Sequence, residues 1–177
     1  MITPVRITQH NLEEAVRIQA ELFPGESAKT NYAESLSDGS GYEYYLLYKD
    51  GLCVGITGLY FYPEAPESAW LGWFGIRKGF RRQGLGSRAL RLFEETAAAR
   101  GCRFARLYTD AQNNDAAIAF YKANGYLCEA YENADDPAAA EHKTLIFSKS
   151  LTGGPPVWWD NRSIHLTEQI AKQEKEP

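Results

Sequence analysis

Cysteine is scarce in this sequence and long apolar runs are missing. Cys53, Cys102 and Cys128 are odd in number and form no CxxC pair, so neither a disulfide framework nor a zinc site is suggested. They are expected to be small buried apolar residues, and no metal is expected. No stretch approaches the roughly eighteen consecutive apolar residues of a membrane-spanning helix. The opening MITPVRITQHNLEEA also lacks the apolar core of a secretory signal. A cytoplasmic protein without a membrane partner is expected. Excess positive charge is absent as well, with 19 Lys and Arg against 23 Asp and Glu, a net charge of −4 and a pI near 5.5. General nucleic-acid binding draws most of its affinity from a basic surface, so nucleic acid is not an expected partner.

What is present is ordinary for a globular domain. Hydrophobic residues make up 44% and charged residues 24% of the chain, which argues against disorder and fibrous architecture. The 177 residues suit one domain, read as residues 1–151, followed by a tail over 152–177. The acidic balance reverses locally, because Arg77, Lys78, Arg81, Arg82 and Arg88 stand together with no acidic residue among them. An anion could dock there, although most charge runs are simply solvated faces.

Residues 5–8 read as a short strand. A helix follows from an Asn11 cap to about Leu22, with Glu13 and Glu14 favouring its N-terminal end and Pro24-Gly25 ending it. A second short helix fits residues 28–36. Residues 42–62 are rich in aromatic and β-branched side chains around Asp50-Gly51, which predicts an antiparallel hairpin. After Pro63 and Pro66, residues 69–76 (AWLGWFGI) form another strand, whose two glycines invite a bulge or a close backbone approach.

From Leu85, the positions Ala89, Leu92, Phe93, Thr96 and Ala97 recur at helical spacing, and Gly101 suits the residue past the helix end. Residues 104–109 then give a strand, crossover helix, strand unit. A further helix over 115–123 precedes Gly125, and strands follow near 126–131 and 143–151. Beyond Gly153-Gly154-Pro155-Pro156 lies a polar, weakly helical tail. Trp158-Trp159 is expected to anchor it on the chain's own domain or on a second subunit, with homodimer packing favoured.

The stretch Arg81-Arg82-Gln83-Gly84-Leu85-Gly86-Ser87 joins a strand to the amphipathic helix. Unpaired N–H groups and the dipole at a helix start make a phosphate socket. Glycines let the backbone approach the ligand, arginines add forked donors, and Ser87 can offer a hydroxyl. A P-loop is excluded, because its lysine would fall at Leu85. Gly84, Gly86 and Ala89 satisfy the dinucleotide pattern G-x-G-x-x-G/A. Against it, seven residues, four of them cationic, separate Ile76 from Gly84, and the chain upstream reads as antiparallel.

The same residues, R-R-Q-G-L-G, resemble the coenzyme A pyrophosphate motif Q/R-x-x-G-x-G/A of the GNAT acetyltransferases. Asn114-Asp115-Ala116-Ala117-Ile118-Ala119-Phe120-Tyr121 through Asn124-Gly125-Tyr126 resembles that family's second signature, at the usual spacing. The resemblance covers about residues 3–151. It implies an α/β fold built on a mostly antiparallel sheet, with one parallel strand pair splayed at the cofactor site. It also implies acetyl-CoA as cosubstrate and a small-molecule or peptide amine as acceptor.

By that resemblance, Phe74, Gly75 and Ile76 lend backbone groups to the pantetheine arm. Arg81, Arg82, Gln83, Gly84, Leu85, Gly86 and Ser87 hold the pyrophosphate, Asn114 bonds the arm from the other side, and Tyr121 is the acid. The strand before the loop departs from the family's best-known pattern, since it lacks the glutamate that serves as base there. Glu67, in the preceding connection, is the candidate substitute. An acyl-CoA-binding sensor without turnover is the alternative function.

Overall fold

The computed structural model describes residues 1–174. In chain order these form β1 (Thr3–Arg6), α1 (Leu12–Leu22), α2 (Lys29–Glu34), β2 (Tyr42–Lys49), β3 (Leu52–Tyr60), β4 (Ser68–Ile76) and α3 (Leu85–Ala99). They continue with β5 (Phe104–Asp110), α4 (Asp115–Ala123), β6 (Leu127–Ala130), α5 (Pro137–His142), β7 (Thr144–Ser150) and α6 (Leu166–Glu174). The strands make one seven-stranded sheet in the order β1-β2-β3-β4-β5-β7-β6. Only β4 and β5 run parallel; the other neighbours are antiparallel. This is the mixed sheet implied by the resemblance, and it leaves no room for a doubly wound dinucleotide fold.

Local chemistry explains most of the element ends. Asp50 and Gly51, at φ 52° and 78°, both take the left-handed conformation that a two-residue hairpin demands. Gly101 and Gly125, at φ 82° and 85°, stand just beyond α3 and α4. Asn11 occupies the cap position of α1 without capping it: its Oδ1 accepts from the Thr8 N–H at 2.7 Å and its Nδ2 donates to the Arg6 carbonyl at 3.0 Å. The side chain ties the helix start back to β1.

Side-chain alternation along the strands feeds two opposite faces. On one face, α3 and α4 bury Leu90, Phe93, Ala97 and Tyr121 against Leu59, Ala69, Leu71, Ala105, Leu107 and Phe147. Leu90, rather than Leu92, is the fully buried leucine in the middle of α3. On the other face, α1 and α2 bury Ala15, Ile18 and Tyr32 against Tyr44, Leu46 and Ile56. The rest of that second face is covered by α5 and the C-terminal segment, where Trp159, Ile164 and Leu166 pack with Tyr62, Trp70, Tyr131 and Ile146.

The favoured packing of the tryptophan pair against a second subunit is corrected for Trp159. Its ring lies 4.8 Å from that of Trp70 in its own chain and it is 2% exposed, while Trp158 stays half exposed. Arg106, on the inner side, completes the attachment: its Nη2 donates to the Val157 carbonyl at 2.8 Å, and its guanidinium lies over the Trp159 ring at 5.3 Å.

Candidate functional site

The parallel pair opens where the site begins. Pairing between β4 and β5 covers only Ser68↔Phe104, Ala69↔Ala105 and Trp70↔Arg106, so the rest of β4 has no partner on that side. On its other side, Ile56 pairs with Gly75 and Gly58 with Gly72, which sets Trp73 and Phe74 opposite Thr57 alone. This is a bulge. Trp73 takes φ 35°, and its indole N–H donates to Asn31 Oδ1 at 3.1 Å while its ring meets Phe23 edge-on at 5.2 Å. The glycines permit the close approach as well: a Cβ on Gly55 would lie 2.2 Å from the Gly75 carbonyl oxygen.

From Ile76 the chain makes one 3₁₀ turn over Lys78–Phe80 and enters α3 through Gly84, whose φ is 72°. No side chain caps α3 and its first turn holds no acid, so its leading N–H groups are left for an anion. Leu85 is buried and pins the turn, and Gly86 lies close enough to Phe120 that a Cβ would touch its ring at 3.3 Å. A Cβ on Gly84 would meet nothing within 4 Å, so the loop faces open space there.

The cations divide into two kinds. Arg77 is neutralised by Glu21 at 2.9 Å, and Arg81 spends its Nε on the Ile76 carbonyl at 2.8 Å. Lys78, Arg82 and Arg88 are exposed and make no ion pair among the described residues. Gln83 is exposed and within 3.5 Å of Lys49 Nζ, and Ser87 is half buried in the first turn of α3.

A cavity of about 870 Å³ opens at the splay, with Phe74, Asn114 and Tyr121 in its lining. Asn114 precedes α4, and its Nδ2 donates to the Asp110 carbonyl at 3.2 Å. The Phe74 ring stacks on Phe120 at 6.0 Å. Tyr121 is 8% exposed and packed against Phe120 and Phe147, and burial pushes its hydroxyl pKa well above the ordinary tyrosine value. Gly75 and Ile76 lie on the adjoining β4 backbone, outside the cavity lining.

Glu67 is not brought to this place. It precedes Ser68 at the far end of β4, where its carbonyl accepts the Arg103 and Phe104 N–H groups, and it does not line the cavity. The physical reason is that β4 is a nine-residue strand, with its paired start at one end and the splayed residues at the other.

The carboxylates in the lining are Glu26, from the α1–α2 connection, and Asp110, at the end of β5. His142 Nδ1 stands 3.2 Å from Asp110 Oδ2. Desolvation raises the Glu26 pKa, Asp110 adds to the rise, and His142 opposes it. Glu26 is legible in the sequence only as one of several acids able to receive a cation. His142 carries no sequence signal, because α5 brings it in.

The C-terminal segment supplies a wall, with Leu166, Gln169 and Ile170 of α6 in the lining. Gln169 Oε1 accepts from the Tyr108 hydroxyl at 2.7 Å, and its Nε2 donates to the Tyr62 hydroxyl at 2.9 Å. Asp136 holds the start of α6 by accepting the Leu166 and Thr167 N–H groups at 2.8 and 2.7 Å. Among the described residues no group of His, Cys, Asp and Glu is placed to hold a metal, and no helix is long and apolar enough to cross a membrane.

Known proteins share this fold. The ribosomal-protein-S18-alanine N-acetyltransferase of Escherichia coli superposes with a TM-score of 0.66 at 18% identity, over 90% of this chain and 100% of that one. Naa50 of Arabidopsis thaliana, solved with the bisubstrate analogue CoA-Ac-MVNAL, gives 0.64 at 20% identity over 84% and 98%. An aminoglycoside 6'-N-acetyltransferase complexed with coenzyme A gives 0.67 at 15% over 88% and 99%. At such identities the likeness shows the fold alone. A search of curated protein sequences finds no significant match. The family profile described as "Acetyltransferase (GNAT) family" matches residues 10–126, well over half of the sequence, and the chain therefore belongs to the GNAT acetyltransferase family.

Proposed function

We propose that this protein transfers an acetyl group from acetyl-CoA to a primary amine by direct attack on the thioester. The observation that carries the reading is one continuous arrangement: the uncapped α3 start, the splayed β4 backbone, and a cavity reached by Tyr121. The residues fit coenzyme A. The open space in front of Gly84, the free N–H groups of α3, and the unpaired Lys78, Arg82 and Arg88 suit a pyrophosphate. The free edge of β4 at Phe74 and Gly75, with Asn114 opposite, suits an amide-containing arm.

Bound acetyl-CoA supplies the activated acyl group. The chain's own part is electrostatic and acid catalysis. Backbone N–H groups of the bulged β4 segment can face the carbonyl oxygen where negative charge develops. Tyr121 is protonated at neutral pH, as any tyrosine is, and burial raises its pKa further, so its hydroxyl meets the departing sulfur as a donor. Full transfer to a free thiolate would run uphill from so weak an acid, so donation accompanies C–S cleavage. The proton lost by the attacking nitrogen then restores the tyrosine, which balances the step.

The missing glutamate on β4 favours a second reading, binding of acyl-CoA without turnover. A transfer screen against amines that include an aminoglycoside, a diamine and an N-terminal peptide, read beside direct acetyl-CoA binding, separates them. Amine-dependent release of free coenzyme A supports catalysis. Tight binding with no release for any amine supports the sensor.

A further inference from the structure

The cavity lining holds Glu26 and Asp110 but, among the described residues, no lysine or arginine. Elsewhere acids near the sheet have been neutralised: Glu21 by Arg77, Glu43 by Arg100 and Glu94 by Lys149. Glu26 has no ion pair among the described residues, and Asp110 has only His142. Glu26 and Asp110 line the same open cavity, and a cation placed between them relieves their repulsion.

The neighbouring wall is aromatic. The Tyr42 ring stacks on Tyr60 at 5.6 Å and on Tyr44 at 6.3 Å, and Tyr108 and Trp73 also line the space. Tyr60 is 5% exposed, and its buried hydroxyl lies beside that of Tyr62. The nearby Tyr62 hydroxyl is already engaged by the Ile164 carbonyl and Gln169. Ring faces attract organic cations.

Resting on the reading of this cavity as the acceptor site, we propose that its Glu26 and Asp110 end binds a second cationic group of the acceptor, of which an aliphatic diamine is the simplest form. One amine is held as an ammonium between carboxylates and tyrosine faces, while the other, neutral, reaches the thioester beside Tyr121.

Three probes of equal length test this: 1,4-diaminobutane, butylamine and 4-aminobutanoate, whose far ends are positive, neutral and negative. Each is titrated calorimetrically into the full chain saturated with coenzyme A. The diamine is expected to bind roughly ten-fold more tightly than butylamine, with 4-aminobutanoate weakest. Glu26→Gln and Asp110→Asn should each cut that advantage severalfold, with thermal melts confirming that both variants fold. No diamine binding, equal binding of diamine and butylamine, or an advantage that survives both substitutions would overturn the proposal. Acetyl transfer measured in parallel keeps the two readings apart. Diamine binding without acetylation removes the acetyltransferase and leaves the cation site, whereas equal acetylation of all three probes removes the cation site alone.

Discussion

Tyr121 combines two properties that usually conflict, a packed ring and a reachable hydroxyl, since it is buried among Phe120, Tyr126 and Phe147 yet lines the cavity. Tyr121→Phe keeps the ring and removes the proton donor. Turnover should fall by about 10²-fold, the lower end of general-acid contributions, while the Kd for acetyl-CoA stays near the wild-type value. Equal loss of both in steady-state kinetics and calorimetry would make the residue a packing element. Glu26 supplies a contrasting case. Its pKa is raised in the folded protein, so the folded state holds that proton more firmly than the unfolded chain does. Its contribution to stability therefore declines as pH rises from the ordinary glutamate value through the raised one. Glu26→Gln removes that penalty, and its Tm at pH 7 should equal or exceed wild type. A clearly lower Tm would show that the carboxylate makes structural bonds instead.

At the scale of elements, the C-terminal segment behaves as part of the domain's second face. Trp159 fills a space bounded by Trp70 and Tyr62, and its indole N–H donates to the Arg162 carbonyl at 2.6 Å. Trp159→Ala should cost about 3–5 kcal/mol, the range for a buried large aromatic, read as a shift in the denaturation midpoint. A change below about 1 kcal/mol would mean that the tryptophan is not buried in solution. Truncation after Leu151 removes Trp159, Ile164 and Leu166 together; a thermal melt should then show a less stable protein, and sedimentation an unchanged oligomeric mass.

The start of α6 responds to pH in the opposite sense from Glu26. Burial alone would raise the Asp136 pKa, but hydrogen bonds from Thr167, Leu166 and Tyr131 outweigh it and hold the pKa below the ordinary aspartate value. The resulting stabilisation is complete above that ordinary value, near 3.9, and is lost as pH falls through the lower folded one. Asp136→Asn should therefore lose thermal stability at pH 7, and the gap to wild type should narrow as the medium is acidified. A gap independent of pH would contradict the assignment.

For the molecule as a whole, legibility followed the range of the interactions. The Asp50-Gly51 hairpin, the α3 stripe and the Asn114 to Gly125 helix are encoded within a few residues each, and the structure places them as the sequence implied. The splay of β4 from β5 agrees with the family resemblance, and the bulge at Trp73 and Phe74 with the glycines flanking them. Asn11 was misread because its competing partners, Thr8 and Arg6, lie behind the helix. Leu90 and Leu92, two residues apart, point to different sides of α3, and only the packing shows that Leu90 is the buried one.

The cavity wall was illegible for a different reason. It joins Glu26, Asp110, His142 and Gln169 across most of the chain, through α5, a short alanine-rich helix, and α6, a polar one. Glu67 is near the splayed residues in sequence but stands before the opposite end of β4, outside the cavity lining.

If coenzyme A is held by the backbone at the start of α3, calorimetric titration of acetyl-CoA into wild type and Gly84→Asp will distinguish the two proteins. A Cβ at Gly84 meets no protein atom, so the variant should fold with a near-wild-type melt while a carboxylate stands where the pyrophosphate would approach. The account predicts one site per chain in wild type and no detectable binding in the variant. Wild type that fails to bind acetyl-CoA, or a folded Gly84→Asp variant that binds it as tightly, would contradict the account.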